Sequence, residues 1–473
     1  MVDSMNRART LQPLPLAAAL RTIWRLLLSA FLSLFASIAP GHSTRRGISG
    51  PRSGFLQWAD PASEPPTIGN QCMKVLVSAY ACEPHWGSEP EVGWQWAWQM
   101  SRFHDVTVLT RATHKRGIDA ALPAQSPEAR APRFVYHELP AWMLRWERIL
   151  HLNPWFHYLL WQRSAWRTVS ELHAEFRFDL LHHLTWTEFR STPAIWGHGV
   201  PTVWGPVNGS ELTPWQLMSV KYPNAMLHEL ARNCSSALVV PGLRAKAAAS
   251  SAILVSARET EETFTKLGIR TVLLPECGLH WRECQPRVLP EGPLRFLING
   301  RLEFHKGVHL ALQALAASGV DAGLWIYGEG EFKAVLERLT RNLGLGKQVR
   351  FMGRLSYREM LRREADFDVL MLPSLHDSGS VGVLEAMAGG LPVICLDCGG
   401  SAIAVSQDCG IKVPLGDSKT VVVGLANAIR RYDADRSLVA VHSQNARRHV
   451  LENYLWDRKG EQLDSIYWQV VGG

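Results

Sequence analysis

Several things this chain has little of exclude whole classes of protein. Its 8 cysteines in 473 residues are scattered at positions 72, 82, 234, 277, 284, 395, 398 and 409, far too thinly for a disulfide-braced fold. Cys395-Leu396-Asp397-Cys398 has no second pair at zinc-ligand spacing and closes an apolar run, so it reads as a strand end rather than a metal or redox site. The apolar run Leu26 to Ala39 is short for a bilayer crossing. A basic tract is missing too. The net charge is +7, yet residues 1–72 carry 7 Lys and Arg against 3 Asp and Glu, residues 73–290 carry 22 against 19, and residues 291–473 carry 21 of each. More than half the excess therefore lies ahead of residue 73. No nucleic-acid groove is indicated, and neither a helix-turn-helix nor an aromatic RNA-binding pattern occurs.

What is present is length enough for two domains of ordinary size, each with its own core. Residues 1–72 form an N-terminal extension of different character. Arg21 and Arg25 precede the apolar run, Ser37-Ile38-Ala39 resembles a cleavage site that Pro40 disfavours, and residues 40–69 have a linker's Pro/Ser/Gly/Arg composition. Three readings stay open for it: a stretch upstream of a true start at Met73, a membrane-associating segment, or a cleaved signal.

From Met73 short apolar runs alternate with helical stretches, the pattern of parallel α/β domains. Strands are expected at Val75–Tyr80, Val106–Thr110, Phe134–Glu138, Leu180–Leu184 and Thr202–Trp204, then at Ala252–Ser256 and Thr271–Leu274. A glycine-containing loop, His85 to Trp94, follows the first strand. Residues 141–166 hold five tryptophans among arginines, which suits either a membrane interface or helix packing. His182 and His183 end the fourth strand, where alternation lets at most one face a cleft; His183 is the favoured one. The proline-rich stretch 286–293 marks a boundary, giving a first domain at 73–290, a second at 291–441, and a terminal helix at 442–473 that crosses back to the first domain.

The second domain carries the densest chemistry. Leu294 to Asn299 reads as a strand running into Gly300-Arg301, with Lys306 just before a helix, so two cations lie near a helix start and can balance a diphosphate. Further strands are expected at Leu324–Tyr327 and Val349–Met352. Val369 to Leu372 is a strand ended by Pro373, and the loop after it leads to a helix near Val381. Backbone N–H groups of Gly379, Ser380, Val381 and Gly382 suit an anion there. Asp377 and Glu385, eight positions apart, bracket that turn and can both accept hydrogen bonds from a ligand's hydroxyls. Strand ends of this kind are where open α/β sheets bind ligands.

Glu385-Ala386-Met387-Ala388 and Gly390-Leu391-Pro392-Val393 resemble the donor-binding signature of the retaining GT-B glycosyltransferases of family 4, with Asp377 in place of the family's first glutamate. Gly300-Arg301 through Lys306-Gly307 resembles the family's G-R-x-x-x-x-K-G element. The resemblance covers roughly Met73 onward. It implies an α/β GT-B fold, two Rossmann-like βα domains facing across a cleft, and transfer of a sugar from a nucleoside diphosphate sugar to a saccharide or lipid-linked acceptor, in surface polysaccharide or glycolipid assembly. Asp377, Glu385 and His183 would then be catalytic. Arg301, Lys306, Gly379 to Gly382 and Gly87 would surround the donor, and Arg354 would lie by the nucleotide base. No cofactor or metal is expected; Asp366-Phe367-Asp368 matches a metal motif of the other glycosyltransferase fold but precedes its strand, at the end away from the ligand loops. The expected setting is the cytoplasm, with peripheral contact at the inner membrane face as one reading. The alternative is a non-catalytic nucleotide-sugar-binding component of an assembly complex.

Overall fold

Val75, Leu76 and Val77 are buried on both faces of the chain's first strand, which places that strand inside a sheet covered by helices on each side. The computed structural model describes residues 72–122, 130–150, 154–190, 192–219, 221–281, 292–379 and 381–472. The first sheet contains β1 (Lys74–Ser78), β2 (Asp105–Arg111), β3 (Arg133–His137), β4 (Leu180–His183), β5 (Thr202–Val207), β6 (Ala252–Val255) and β7 (Val272–Leu273). Their order is β3-β2-β1-β4-β5-β6-β7 and every neighbouring pair is parallel. Around it lie α1 (Ser88–Ser101), α2 (Ala141–Leu150), α3 (Pro154–Phe176), α4 (Pro223–Val239) and α5 (Arg258–Lys266).

The second sheet contains β8 (Arg295–Asn299), β9 (Gly323–Tyr327), β10 (Val349–Gly353), β11 (Val369–Leu372), β12 (Val393–Leu396) and β13 (Gly410–Val413). Its order, β10-β9-β8-β11-β12-β13, is again all parallel. The order reverses between β8 and β11, so the loops at their carboxyl ends open on the crevice where such sheets take ligands. Helices α6 (Val308–Ser318), α7 (Val381–Ala388), α8 (Gly399–Ala404), α9 (Ser418–Ala434) and α10 (Arg436–Asn453) surround this sheet. Strand β13 has no counterpart among the expected strands: Gly410-Ile411-Lys412-Val413 is half-buried and too mixed to announce itself. Residues 282–291, most of the expected boundary, lie outside the described residues, as does the extension up to residue 71.

Cys395 and Cys398 are buried free thiols, and Cys398 Sγ donates to the carbonyls of Ser374 and Leu375. Asp368 is buried and accepts from the Arg295 backbone N–H and guanidinium at 2.9 to 3.3 Å, which ties β11 to β8 at the edge opposite the ligand loops. Both motifs therefore serve the fold.

The return to the first domain begins later than residue 442. Helix α10 stays with the second domain, where Ser443 Oγ donates to the carbonyl of Gly390. The chain then turns at Tyr454, where Leu279 and Leu455 pair as a short bridge, and only α11 (Trp456–Gly472) lies on the first domain. It packs on α1: Trp456 meets Trp96 edge-on at 5.4 Å, Asp457 pairs with Arg102 at 2.9 Å, and Gly460 lets the helix approach Gln99. Lys459 is buried beneath, its ammonium donating to the carbonyl of Pro275 and lying over the Trp96 ring. Near the start of α4 the first domain reaches over the second, for Tyr222 packs against Phe304 and Phe332 at 5.8 and 5.0 Å. Among the described residues, no helix is long and apolar enough to cross a membrane.

Candidate functional site

Two loops at the switch point are laced together before any side chain is considered. The turn after β8 ends in Gly307, whose φ of 67° and tight approach to the Pro373 carbonyl leave no room for a Cβ. The Leu375 N–H donates to the His305 carbonyl at 2.7 Å, so the two loops move as a unit. On this frame Lys306 Nζ lies 2.7 Å from Asp377 Oδ2, each side chain only 19% exposed. The Asp377 carbonyl accepts from the Gly400 N–H at 2.7 Å. Gly399, at φ 61° and pressed on the same backbone, donates its N–H to Glu259 Oε1 of the first domain at 2.7 Å.

Gly379 follows in the loop, half-buried, and its Cα faces Glu276, which stands just after β7. Val381 opens α7 half-buried, Gly382 is exposed beside it, and Glu385 lies half-buried about one turn on. Ser380 is outside the described residues. Lys306, Asp377 and Gly379 are thus brought to one rim, with α7 starting next to them. Arg301 is not joined to that pair: it is 74% exposed and its guanidinium lies 2.9 Å from Glu303 Oε1. Arg354 is exposed just past β10, and Gly87, at φ 76°, is exposed at the start of α1.

His183 does not open on the cleft. Its Nε2 is 2.9 Å from the Tyr158 hydroxyl and its Nδ1 is 3.4 Å from Ser78 Oγ, all within the first domain's core. His182 points the other way, to the Tyr467 hydroxyl at 2.5 Å and the Gly205 carbonyl at 2.7 Å, and is equally buried. Alternation does separate the two rings, but helices cover both faces of β4, so each alternate side is core. Burial pushes His183 down to about 3 and His182 to about 4, which keeps both rings neutral.

Residues that sequence reasoning passed over complete the surroundings. Glu276 and Glu89 face one another across the first domain's rim, with Glu89 accepting from the Trp186 N–H at 3.3 Å. Burial, opposed by that hydrogen bond and reinforced by Glu188, raises Glu89 to about 7. Burial and then the charges of Glu89, Glu211 and Asp377 raise Glu276 well above the carboxylate range. Both residues keep some exposure at their edges, but the crevice strips water from the carboxylates themselves. From α4, Glu229 reaches His376 Nε2 at 3.1 Å across the domains and accepts from the Thr213 hydroxyl at 2.7 Å. Burial alone would raise Glu229; hydrogen bonds from His228 and His376 outweigh it and hold the carboxylate well below its ordinary value. No local pattern announces these acids, because their partners come from distant parts of the chain.

Residues 281–449 match the family model of the glycosyl transferases group 1. Part of the chain is similar to a GDP-mannose-dependent monoacylated alpha-(1-6)-phosphatidylinositol monomannoside mannosyltransferase of Corynebacterium glutamicum, 31% identical over 182 residues, covering 36% of this chain and 45% of that protein. It is similar as well to the glycogen synthase of Mycobacterium tuberculosis, 30% identical over 180 residues, covering 37% and 42%. The chain thus spans less than half the length of these two relatives. Among solved structures, sucrose-phosphate synthase from Thermosynechococcus elongatus superposes over 85% of this chain and 99% of its own, with a TM-score of 0.56 at 20% identity. HepE from Anabaena, in complex with UDP and glucose, superposes over 84% and 99%, with a TM-score of 0.51 at 16% identity. With the two sheets described above, these likenesses show the GT-B fold. The group 1 match spans all of the second sheet, and so the loops that carry Lys306, Asp377 and Gly379.

Proposed function

We propose that the chain is a retaining glycosyltransferase that moves a sugar from a nucleoside diphosphate sugar to a saccharide or lipid-linked saccharide acceptor, in surface polysaccharide or glycolipid assembly. The observation that carries this reading is the Lys306–Asp377 pair at the mouth of the Gly379–Gly382 turn, a cation beside a helix start at the second sheet's switch point. The group 1 match over the same loops and the HepE complex with UDP and glucose support it.

In this reading the donor diphosphate takes Lys306 from Asp377. The ammonium and the backbone N–H groups at the start of α7 then share the charge that grows as the glycosidic oxygen leaves. Asp377, released, orients the transferred sugar, and Glu385 holds the ribose hydroxyls. Arg301 joins the diphosphate by leaving Glu303, a small movement for an exposed side chain. Attack by the acceptor hydroxyl on the face that the leaving group vacates gives retention, and the departing diphosphate oxygen accepts the acceptor's proton, so no separate base is required. No metal is needed for that charge. The exposed Trp142 and Trp146 of α2, 60% and 56% exposed with Arg145 between them, suit peripheral contact with the inner, cytoplasmic membrane face.

The test is a panel of nucleoside diphosphate sugars assayed for nucleoside diphosphate release, with and without a lipid-linked saccharide. One donor should turn over in an acceptor-dependent way, and Glu385→Ala should lower kcat/KM about 100-fold with its thermal melt unchanged. Binding of a nucleotide sugar with no turnover for any acceptor class would instead make the protein a binding component.

A further inference from the structure

We propose that Glu229, His305 and His376 form a binding site for a divalent transition-metal ion of the zinc class that fastens the two domains to each other. The three side chains come from α4 of the first domain and from both switch-point loops of the second, and their ligand atoms all lie within 4.8 Å of one another. Two imidazoles and one carboxylate are a donor set that such ions take, leaving a fourth position for water.

The geometry is close to what the ion requires. Two ligands at about 2.1 Å from one ion in a tetrahedral site lie about 3.4 Å apart. His376 Nε2 and Glu229 Oε2 are 3.1 Å apart, so an ion can replace the proton now shared between them. His305 stacks on His376 with ring centroids 4.6 Å apart, its ligand nitrogen lies within 4.8 Å of the other two ligand atoms, and turning the ring out of the stack would bring it towards them. Its Nδ1 lies 3.4 Å from Glu303 Oε2. A carboxylate behind a histidine ligand is the usual way such a ring is oriented and made a stronger donor. Thr213, donating to Glu229 Oε2 at 2.7 Å, anchors the carboxylate in the same fashion.

The cations around the cluster are already engaged: Lys306 pairs with Asp377 at 2.7 Å, and the Arg232 guanidinium donates to the Glu211 carbonyl. Because His305 precedes Lys306 and His376 precedes Asp377, a bound ion would fix the two loops from behind while leaving that pair free to meet a ligand. It would also reinforce the seam where Tyr222 packs on Phe304 and Phe332.

The experiment uses the full chain without an affinity tag, stripped of metal by chelation, and titrated with Co²⁺ and then Zn²⁺ alone. Expected are one Co²⁺ per chain with the intense visible bands of a four-coordinate ion, no thiolate charge-transfer band, displacement by Zn²⁺, and a rise in Tm with Zn²⁺. His305→Ala and His376→Ala should each lose the bands and the Tm rise, and Glu303→Gln should weaken binding roughly tenfold. His305→Ala removes a half-buried ring outside either core, so its metal-free melt should match the parent and serve as the folding control. A Co²⁺ spectrum that stays that of the hydrated ion, or one that persists in both histidine variants, overturns the proposal. None of these readouts depends on sugar transfer.

Discussion

The two walls of the cleft hold their charges differently. On the second domain's side, the basic wall, Lys306 and Arg301 are each paired with a carboxylate, Asp377 and Glu303; on the first domain's side, the acidic wall, Glu89 and Glu276 act on each other with Glu188 and Glu211 close by. The basic wall keeps its cation in an ion pair at the surface of the rim. The acidic wall keeps Glu89, Glu211 and Glu276 above their ordinary range by burial, with neighbouring carboxylates adding to it for Glu89 and Glu276. In the proposed reading, a diphosphate is drawn to Lys306 and the start of α7 and, if the acids ionise, repelled by the other wall, which leaves the first domain's carboxyls to meet the hydroxyls of the proposed acceptor.

Four variants would break or sharpen this contrast. Lys306→Ala should have the largest effect, a fall in kcat/KM of about 100- to 1,000-fold with a small change in Tm, read by steady-state kinetics with whichever donor of the panel turns over. Unchanged kinetics would remove the basic wall from the donor's path. His183→Ala should do the reverse, lowering unfolding free energy by about 1–3 kcal/mol in urea melts because it removes a fully buried ring and its hydrogen bond to the Tyr158 hydroxyl, while the residual folded enzyme keeps its kcat. For Glu89 the folded pKa, about 7, lies above its unfolded value, so the protonated form is favoured by folding. The stability it contributes is complete below the ordinary carboxylate range and is lost as pH rises through about 7. Glu89→Gln, which keeps an acceptor for the Trp186 N–H, should therefore flatten the fall in Tm between pH 5 and 8. An identical pH profile would place the acidic wall's titration elsewhere. Trp142→Ala with Trp146→Ala should have the smallest effect, a loss of sedimentation with anionic liposomes at low salt and no change in transfer to a water-soluble acceptor.

Legibility in the sequence followed the range of the interactions. Strand β11, the loop after it and the onset of α7 at Val381 are readable because Val369 to Leu372, Pro373 and the glycines act within a few positions of themselves. The meeting of Lys306 with Asp377 joins residues 71 apart, yet both sit at strand ends whose order the βα alternation dictates. By contrast, Glu229 and His376 are 147 positions apart and meet only because α4 leans over the second domain. His183 misled for a different reason. Period-two alternation tells which way a side chain points, and not whether a helix lies there. The crossing falls at Tyr454 rather than near His442 because the break depends on the pairing of Leu455 with Leu279, a partner far away in the chain.

The placement of α11 sets a timetable for synthesis. Trp96, His182 and Lys459 share one interior, yet the residues that seal it from one side, Trp456 to Tyr467, are translated after the whole of the second domain. At ribosomal speeds roughly 10–40 s separate the emergence of residue 280 from that of residue 472. During that interval the first sheet waits with a flank that only α11 covers.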